Sequence, residues 1–162
     1  IGLAPGAMYG TAKCWPLAAY QELADRFIRE GTARVLYLGT ARDALALSGE
    51  GNPAPGKGMN LMGQTSLGEA LALIRRCHLL IVNDSGLMHA GAALGTPLVA
   101  LFGSTSPERT GPWGGRHRLV QRRFECSPCF RKVCRKPRFC MEAITVEEVW
   151  EAARGLLTEG SI

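Results

Sequence analysis

Residues 79–103 place a short polar turn and an apolar helical segment between two apolar strands. The first apolar run, residues 79–82, stops at a four-residue turn, and the helical segment that follows ends at Gly95. A second apolar run occupies residues 98–102. Strands this apolar are typical of a parallel sheet that helices cover on both faces. The stretch therefore predicts the central unit of a doubly wound α/β fold.

The turn at residues 83–86 has the chemistry of a phosphate site. A helix that starts directly after a strand presents free backbone N–H groups, and its dipole adds partial positive charge there. Gly86 allows close approach, Ser85 adds a hydroxyl donor, and His89 lies one helical turn beyond Ser85. Asp84 has two interpretations, a ligand contact or a cap of the helix. Many such turns bind nothing, and the G-x-G-x-x-G fingerprint of dinucleotide-binding proteins is absent.

The rest of the chain repeats this alternation of strands and helices. We expect further strands at residues 1–4, 34–38, 60–62 and 117–121. Further helices are predicted to begin near Pro16, Ala41, Ser66 and Thr145. Ser66 and Thr145 are each followed three residues later by Glu, the spacing of a capping box. The order of elements predicts a parallel, doubly wound sheet with an irregular basic segment before the last helix.

Polar residues follow each of the first five strands of this predicted sheet, at the edge where ligands bind in such folds. Lys13 follows strand one and Thr65 follows strand three. Asp43 follows strand two, where its carboxylate is expected to reach the two hydroxyls of a ribose. Together with the turn at 83–86 they indicate a site for a nucleotide diphosphate. A solvated loop lysine at Lys13 and a packed helix histidine at His89 remain open as alternatives.

Length and composition are those of one domain, with 162 residues of which 46% are apolar. No run is long enough to span a membrane and no signal peptide is recognisable, so we expect a cytoplasmic protein. The chain starts without Met in a strand-like segment, which suggests a piece of a longer protein.

The net charge of +5 is concentrated in one part of the chain. Residues 104–140 hold ten basic residues against Glu108 and Glu125. The ten are Arg109, Arg116, Arg118, Arg122, Arg123, Arg131, Lys132, Arg135, Lys136 and Arg138. Such a segment attracts nucleic acid, an anionic membrane surface or a phosphorylated substrate, and scattered surface arginine is the plainer explanation.

Four of the six cysteines are clustered in residues 124–141, which we call the cysteine segment. They are Cys126, Cys129, Cys134 and Cys140. Structural disulfides are rare in cytosolic proteins, so clustered thiols favour a metal, with tetrahedral Zn²⁺ the natural choice. The spacing departs from that of a zinc ribbon, and two disulfides, free thiols or an iron–sulfur cluster stay open. In each case the cysteines would hold in place a loop that is too polar to pack against the domain without them.

Several motifs together carry a resemblance to a known family. They are APGAMYGTAKCWP, GTARD, NLMGQTSLGEALALI, NDSGLMHAGAALGTPLVALFGSTSP and the cysteine segment. The chain resembles, over essentially its whole length, glycosyltransferase family 9. These are bacterial heptosyltransferases that add ADP-activated heptose to the inner core of lipopolysaccharide, and the heptosyltransferase II branch is the most similar. The resemblance implies the C-terminal, Rossmann-like half of a GT-B glycosyltransferase, with residues 1–162 as a single nucleotide-sugar-binding domain.

The resemblance also implies roles for individual residues. Lys13 and the group Asp84, Ser85, Gly86 and His89 would contact the diphosphate, Asp43 the ribose, and the backbone near Thr65 the adenine. The general base would lie in an N-terminal acceptor domain outside this chain, so we expect the chain to bind donor and hardly turn over. Inversion of configuration, no metal in the chemistry and a peripheral contact with the inner membrane are further expectations.

Two other functions are compatible with the residues themselves. A nucleotide-sugar epimerase shares the two-domain architecture. A nucleic-acid-binding module would instead use the basic cysteine segment like a zinc knuckle, although the segment has few aromatic residues and no RNA-binding motif.

Overall fold

The computed structural model describes residues 1–31, 33–47, 58–136 and 140–159. Six strands within these ranges form one parallel sheet with the order β3-β2-β1-β4-β5-β6. The strands are β1 (Gly2–Ala4), β2 (Leu36–Tyr37), β3 (Met59–Asn60), β4 (Leu80–Asn83), β5 (Leu98–Phe102) and β6 (His117–Gln121). The predicted Rossmann-like, doubly wound parallel sheet is therefore confirmed.

Six α-helices within the described ranges cover the sheet. They are α1 (Leu17–Arg29), α2 (Ala41–Leu47), α3 (Leu67–Arg76), α4 (Gly86–Ala93), α5 (Pro107–Thr110) and α6 (Val146–Thr158). Both predicted capping boxes form, at Ser66 with Glu69 and at Thr145 with Glu148. The sequence did not predict α5 or a 3-10 turn at Thr11–Lys13, because each is a single turn without a detectable apolar period.

The sheet separates two apolar layers. β4 and β5 are buried along their whole lengths, as continuous apolar runs require. Tyr20 and Phe27 of α1 and Trp150 of α6 fill one layer, while Ile74 of α3 and Met88 of α4 belong to the other. The rings of Phe27 and Trp150 lie 4.7 Å apart and join α6 to α1, while α6 also packs directly against β5 and β6. No helix in the described ranges is long and apolar enough to cross a bilayer.

The chain reverses direction across the sheet between β1 and β4. From β1 it moves outward through β2 and β3, and it then returns to β4 on the other side of β1. The connections that follow β1 and β4 therefore run in opposite directions across the sheet, and in doubly wound folds such a switch point forms the crevice at the carboxyl edge. Ligands of doubly wound folds bind at this switch point.

Candidate functional site

A buried ion pair lies at the switch point. The Lys13 Nζ, in the loop after β1, is 2.7 Å from the Asp84 Oδ2, directly after β4. The two side chains are only 11% and 4% exposed. Lys13 is therefore not a solvated loop lysine: Asp84 fixes its ammonium group at the end of the two central strands.

Two threonines complete the environment of this carboxylate. The hydroxyl of Thr105 donates to the Asp84 Oδ2 at 2.6 Å, and the hydroxyl of Thr110 donates to the same oxygen at 3.0 Å. Three donors from three different segments thus converge on one oxygen, which suits a buried charge. Sequence reasoning did not assign a role to either threonine, since hydroxyl residues are common in loops and nothing in their spacing points to Asp84.

The N-terminus of α4 carries no side-chain cap. Its N-cap residue is Ser85, whose hydroxyl is buried and makes no hydrogen bond within the described part of the chain. Asp84 does not cap the helix, because its carboxylate is turned to Lys13 and the threonines. Gly86 is exposed, and a Cβ there would meet nothing within 4 Å. His89 is exposed one turn further on. The first turn of α4 therefore presents unused donors to the crevice.

Asn83, the last residue of β4, holds the loop after β1 in place. Its side chain is fully buried. The Oδ1 accepts from the Trp15 N–H at 3.1 Å and from the Tyr20 hydroxyl at 3.2 Å, while the Nδ2 donates to the carbonyl of Pro5 at 2.7 Å. From sequence, Asn83 was simply part of the polar turn. The structure gives it the role of joining β4 to the loop that carries Lys13.

Asp43 and Thr65 lie at the same edge, toward β2 and β3. The Asp43 Oδ2 accepts from the Thr40 N–H at 2.8 Å and from the Thr40 hydroxyl at 2.7 Å. A Cβ on Gly6 would lie 2.2 Å from the Asp43 Cγ, so this carboxylate rests against the backbone of the loop after β1. Thr65 is half-buried in the loop after β3. The sheet thus brings these two residues to the edge that holds Lys13.

The four clustered cysteines line one small cavity of about 20 Å³, together with Ala12, Ser104, Phe124 and Lys136. All six cysteines of the chain are free, so the alternative of two disulfides among the four clustered cysteines is not observed. Burial raises the pKa of the Cys140 thiol. The hydroxyl of Ser104 is buried there without a hydrogen-bond partner among the described residues. In those same ranges no three His, Cys, Asp or Glu side chains are arranged as a metal site.

The cysteine segment contacts the loop that carries Lys13. The Ala12 N–H donates to the carbonyl of Lys132 at 3.0 Å, and the Tyr9 hydroxyl donates to the carbonyl of Phe130 at 2.8 Å. On its other side the segment meets the loop after β5, where the Phe130 N–H donates to the carbonyl of Ser104 at 2.8 Å. The segment therefore braces two of the loops that form the candidate site.

Most of the basic residues of 104–140 fall into two groups, while Arg109 lies apart in α5, with its guanidinium over the ring of Phe130. Those on and beside β6 are neutralised by carboxylates: Arg118 pairs with Glu159, Arg122 with Glu148 and Arg123 with Glu108. The second group lies within the cysteine segment and is exposed. It consists of Arg131, Lys132, Arg135 and Lys136. Arg138, which the sequence placed with them, lies outside the described residues.

A second concavity, of about 810 Å³, opens at the amino edge of the sheet beside Ile1, Arg34 and Arg76. It is lined mainly by apolar side chains and lies at the end of the strands opposite Lys13 and Asp84. We place the candidate site at the carboxyl edge and not in this larger concavity, because ligands of doubly wound folds bind at the carboxyl edge and because the Lys13–Asp84 pair lies there.

Comparison with known proteins agrees with the resemblance seen in the sequence. Residues 1–139 match the model of glycosyltransferase family 9 (heptosyltransferase). The chain is 43% identical over 125 residues to lipopolysaccharide heptosyltransferase 2 of Salmonella typhimurium, which covers 75% of this chain and 36% of that protein. It is 34% identical over 164 residues to lipooligosaccharide heptosyltransferase 2 of Campylobacter jejuni, covering 97% of this chain and 50% of that one.

Solved structures show the same architecture. The E. coli ADP-heptose lipopolysaccharide heptosyltransferase II superposes with a TM-score of 0.80 at 34% identity, covering 99% of this chain and 47% of that one. TibC, described as an iron-containing dodecameric glycosyltransferase, shares the fold with a TM-score of 0.75 at 22% identity, covering 98% of this chain and 44% of that one. The chain spans about half the length, or less, of these relatives. On the match across residues 1–139 and these identities, the chain belongs to glycosyltransferase family 9.

Proposed function

We propose that this chain, residues 1–162 acting as one domain, binds the nucleotide diphosphate of an activated sugar at the carboxyl edge of its sheet. The observation that carries the proposal is the position of the Lys13 ammonium, which Asp84 holds beside the uncapped N-terminus of α4. An oriented cation and free helix N–H groups are a favourable pair for a phosphate.

Asp84 acts in this proposal through Lys13. Its Oδ2 already accepts from Lys13, Thr105 and Thr110, and a carboxylate repels a diphosphate. Direct contacts with the diphosphate would come from Lys13, the Ser85 hydroxyl, the Gly86 backbone and His89. Asp43 would accept from the ribose hydroxyls, and the backbone near Thr65 would meet the adenine.

The chemistry that follows is the departure of a nucleotide from an anomeric carbon. Negative charge grows on the diphosphate as the glycosidic bond breaks. A fixed cation and aligned N–H dipoles stabilise that charge more strongly in the transition state than in the ground state, which is electrostatic catalysis without a covalent step. The donor site thereby contributes to the rate as well as to binding.

For the whole protein we propose transfer of heptose from ADP-heptose to the inner core of lipopolysaccharide, as the names of the relatives suggest. An N-terminal domain would bind the acceptor and supply the general base for an inverting displacement. The enzyme would work in the cytoplasm at the inner face of the inner membrane. The names of the relatives favour a transferase over a nucleotide-sugar epimerase or a nucleic-acid-binding module.

We also propose that Cys126, Cys129, Cys134 and Cys140 hold one structural Zn²⁺. Four free thiols around one cavity, beside a buried hydroxyl without a partner, support a ligand there. The thiols would have to draw together around the ion, which would tighten residues 124–141 against the loop that carries Lys13. Elemental analysis of the purified protein tests this proposal. One zinc per chain is expected, and protein that contains no metal when purified without chelator contradicts it.

Calorimetry with ADP tests the donor site. We expect saturable binding at one site that is lost in Asp84→Ala. Glu22→Ala, at an exposed position of α1, is the matched control and should bind ADP like the parent protein. An unchanged ADP affinity in Asp84→Ala would remove the basis of the proposal. Strongly salt-dependent RNA binding with no response to ADP would favour the nucleic-acid module instead.

A further inference from the structure

The exposed surface of the cysteine segment carries positive charge that no acidic side chain in the described part of the chain neutralises. The sequence contains no acidic residue from position 126 to position 141. Arg131, Lys132, Arg135 and Lys136 are all exposed, and no carboxylate in the described ranges pairs with them. Arg122 and Arg123, by contrast, are each paired with a glutamate. Evenly scattered surface arginine would not place the paired arginines beside β6 and the unpaired cations within the cysteine segment.

Exposed apolar side chains lie among these cations. Val133 is 59% exposed between Lys132 and Cys134, and Met8, in the loop after β1, is 81% exposed. The two segments form one surface, because the Tyr9 hydroxyl donates to Phe130 and the Lys132 Nζ lies 5.7 Å from the Tyr9 ring. We call this surface the rim patch and define it as Met8, Arg131, Lys132, Val133, Arg135 and Lys136.

We infer that the rim patch docks on an anionic lipid surface. Clusters of four or more Lys and Arg bind anionic headgroups, and apolar side chains among them insert at the boundary between headgroups and acyl chains. The patch is formed by loops and not by a groove, and the cavity beneath it is about 20 Å³, too small for an organic ligand. Single-stranded nucleic acid would need several exposed stacking rings. Phe130 is half-buried with Arg109 5.0 Å from its ring, and the partly exposed Tyr9 ring already has Lys13 and Lys132 within 5.7 Å.

The patch lies beside the proposed donor site. The Tyr9 ring that contacts Lys132 on one side lies 4.9 Å from the Lys13 Nζ on the other. Docking there would bring the crevice to the membrane surface, where a lipid-anchored acceptor is held. This consequence rests on the proposed function. Lipid binding itself does not, so it is measured separately from ADP binding.

Co-sedimentation with vesicles tests the inference. The protein should bind vesicles of phosphatidylcholine mixed with phosphatidylglycerol, but not vesicles of phosphatidylcholine alone. A variant carrying Arg131→Gln, Lys132→Gln, Arg135→Gln and Lys136→Gln should partition about six hundredfold more weakly, since each of the four lost cations contributes about fivefold near an anionic surface. The matched control loses the same charge from helices: Arg29→Gln, Arg75→Gln, Arg76→Gln and Arg154→Gln. It should bind these vesicles within about threefold of the parent protein.

A second variant keeps the charge and removes the apolar contribution. Met8→Ser with Val133→Ser should weaken binding to anionic vesicles about tenfold. Its control is Met59→Ser with Leu67→Ser, two comparably exposed positions outside the patch. Equal losses in patch and control variants, or undiminished vesicle binding by both patch variants, would overturn the inference. So would a patch variant that loses binding to a single-stranded RNA while it still binds vesicles.

ADP calorimetry on the same proteins separates the two proposals. Patch variants should keep the ADP affinity of the parent protein. Vesicle binding without any ADP binding would refute the donor site and leave the lipid surface standing. ADP binding without vesicle binding would refute the lipid-binding surface and leave the donor site standing.

Discussion

The Lys13 Nζ and the Asp84 Oδ2, 71 positions apart in the chain, lie 2.7 Å apart at the point where the sheet changes direction. β1 and β4 are neighbours in the sheet, so the residues that follow them meet at one edge. The pair is buried, and Thr105 and Thr110 share its carboxylate. A cation held in this way has already lost most of its freedom before any anion binds, which reduces the entropic cost of binding.

The dependence of Asp84 on Lys13 can be measured with a double-mutant cycle. Lys13→Met should weaken ADP binding on the order of tenfold to a hundredfold, the usual size of a charge-assisted hydrogen bond. Asp84→Asn should weaken it as well, because Lys13 loses its anchor. In the Lys13→Met background, Asp84→Asn should have little further effect on the dissociation constant. Fully additive losses would mean that Asp84 contacts the nucleotide itself.

Gly86→Ala should separate ligand binding from stability. A Cβ at this position meets no atom of the protein, so the thermal midpoint should stay the same or rise slightly. The methyl group would nevertheless occupy the space where a phosphate approaches the first turn of α4, and ADP affinity should fall about tenfold or more. Gly155→Ala in α6 also meets no atom and serves as the control, with unchanged ADP binding. A Gly86→Ala protein that binds ADP normally would argue against phosphate at this helix.

Gly10 tests the contact between the cysteine segment and the loop that carries Lys13. Its φ of 156° disfavours other residues, and a Cβ would lie 2.2 Å from the carbonyl oxygen of Lys132. Gly114 shares a positive φ, 66°, but a Cβ there meets nothing. Gly114→Ala should therefore cost about 1 kcal/mol of unfolding free energy from backbone strain alone. Gly10→Ala should cost more than this and should also weaken ADP binding, as followed by denaturant titration and calorimetry. Equal effects of the two substitutions would mean that the loop moves freely away from the segment.

The capping box of α3 should make stability depend on pH in the acid range. Hydrogen bonds from the Ser66 backbone and then its hydroxyl lower the pKa of Glu69 below its usual 4.5. A carboxyl group with a lowered pKa stabilises the fold fully above its unfolded value and loses that contribution as pH falls through its folded value. Glu69→Gln should therefore flatten the fall of the thermal midpoint below about pH 4.5. An equally steep fall in Glu69→Gln would assign the acid sensitivity to other carboxyl groups.

The sequence by itself determined the order of the elements and the class of fold. Apolar strands at residues 79–82 and 98–102 favoured a parallel sheet covered on both faces, and two capping boxes marked the starts of α3 and α6. Because parallel strands end at one edge, the sequence also predicted that Lys13, Asp43, Thr65 and the turn after β4 would lie along the same rim. These features are determined by residues close together in the chain, so the sequence alone is sufficient to predict them.

Only the tertiary structure decided what the side chains at this rim do. It directed Asp84 to Lys13 and the threonines instead of to the helix, and it assigned Asn83 the role of joining β4 to the loop after β1. It also separated the neutralised arginines beside β6 from the exposed cations of the cysteine segment. Each of these outcomes depends on pairs of residues far apart in the chain, and residue spacing carries no information about such contacts until the sheet brings them together.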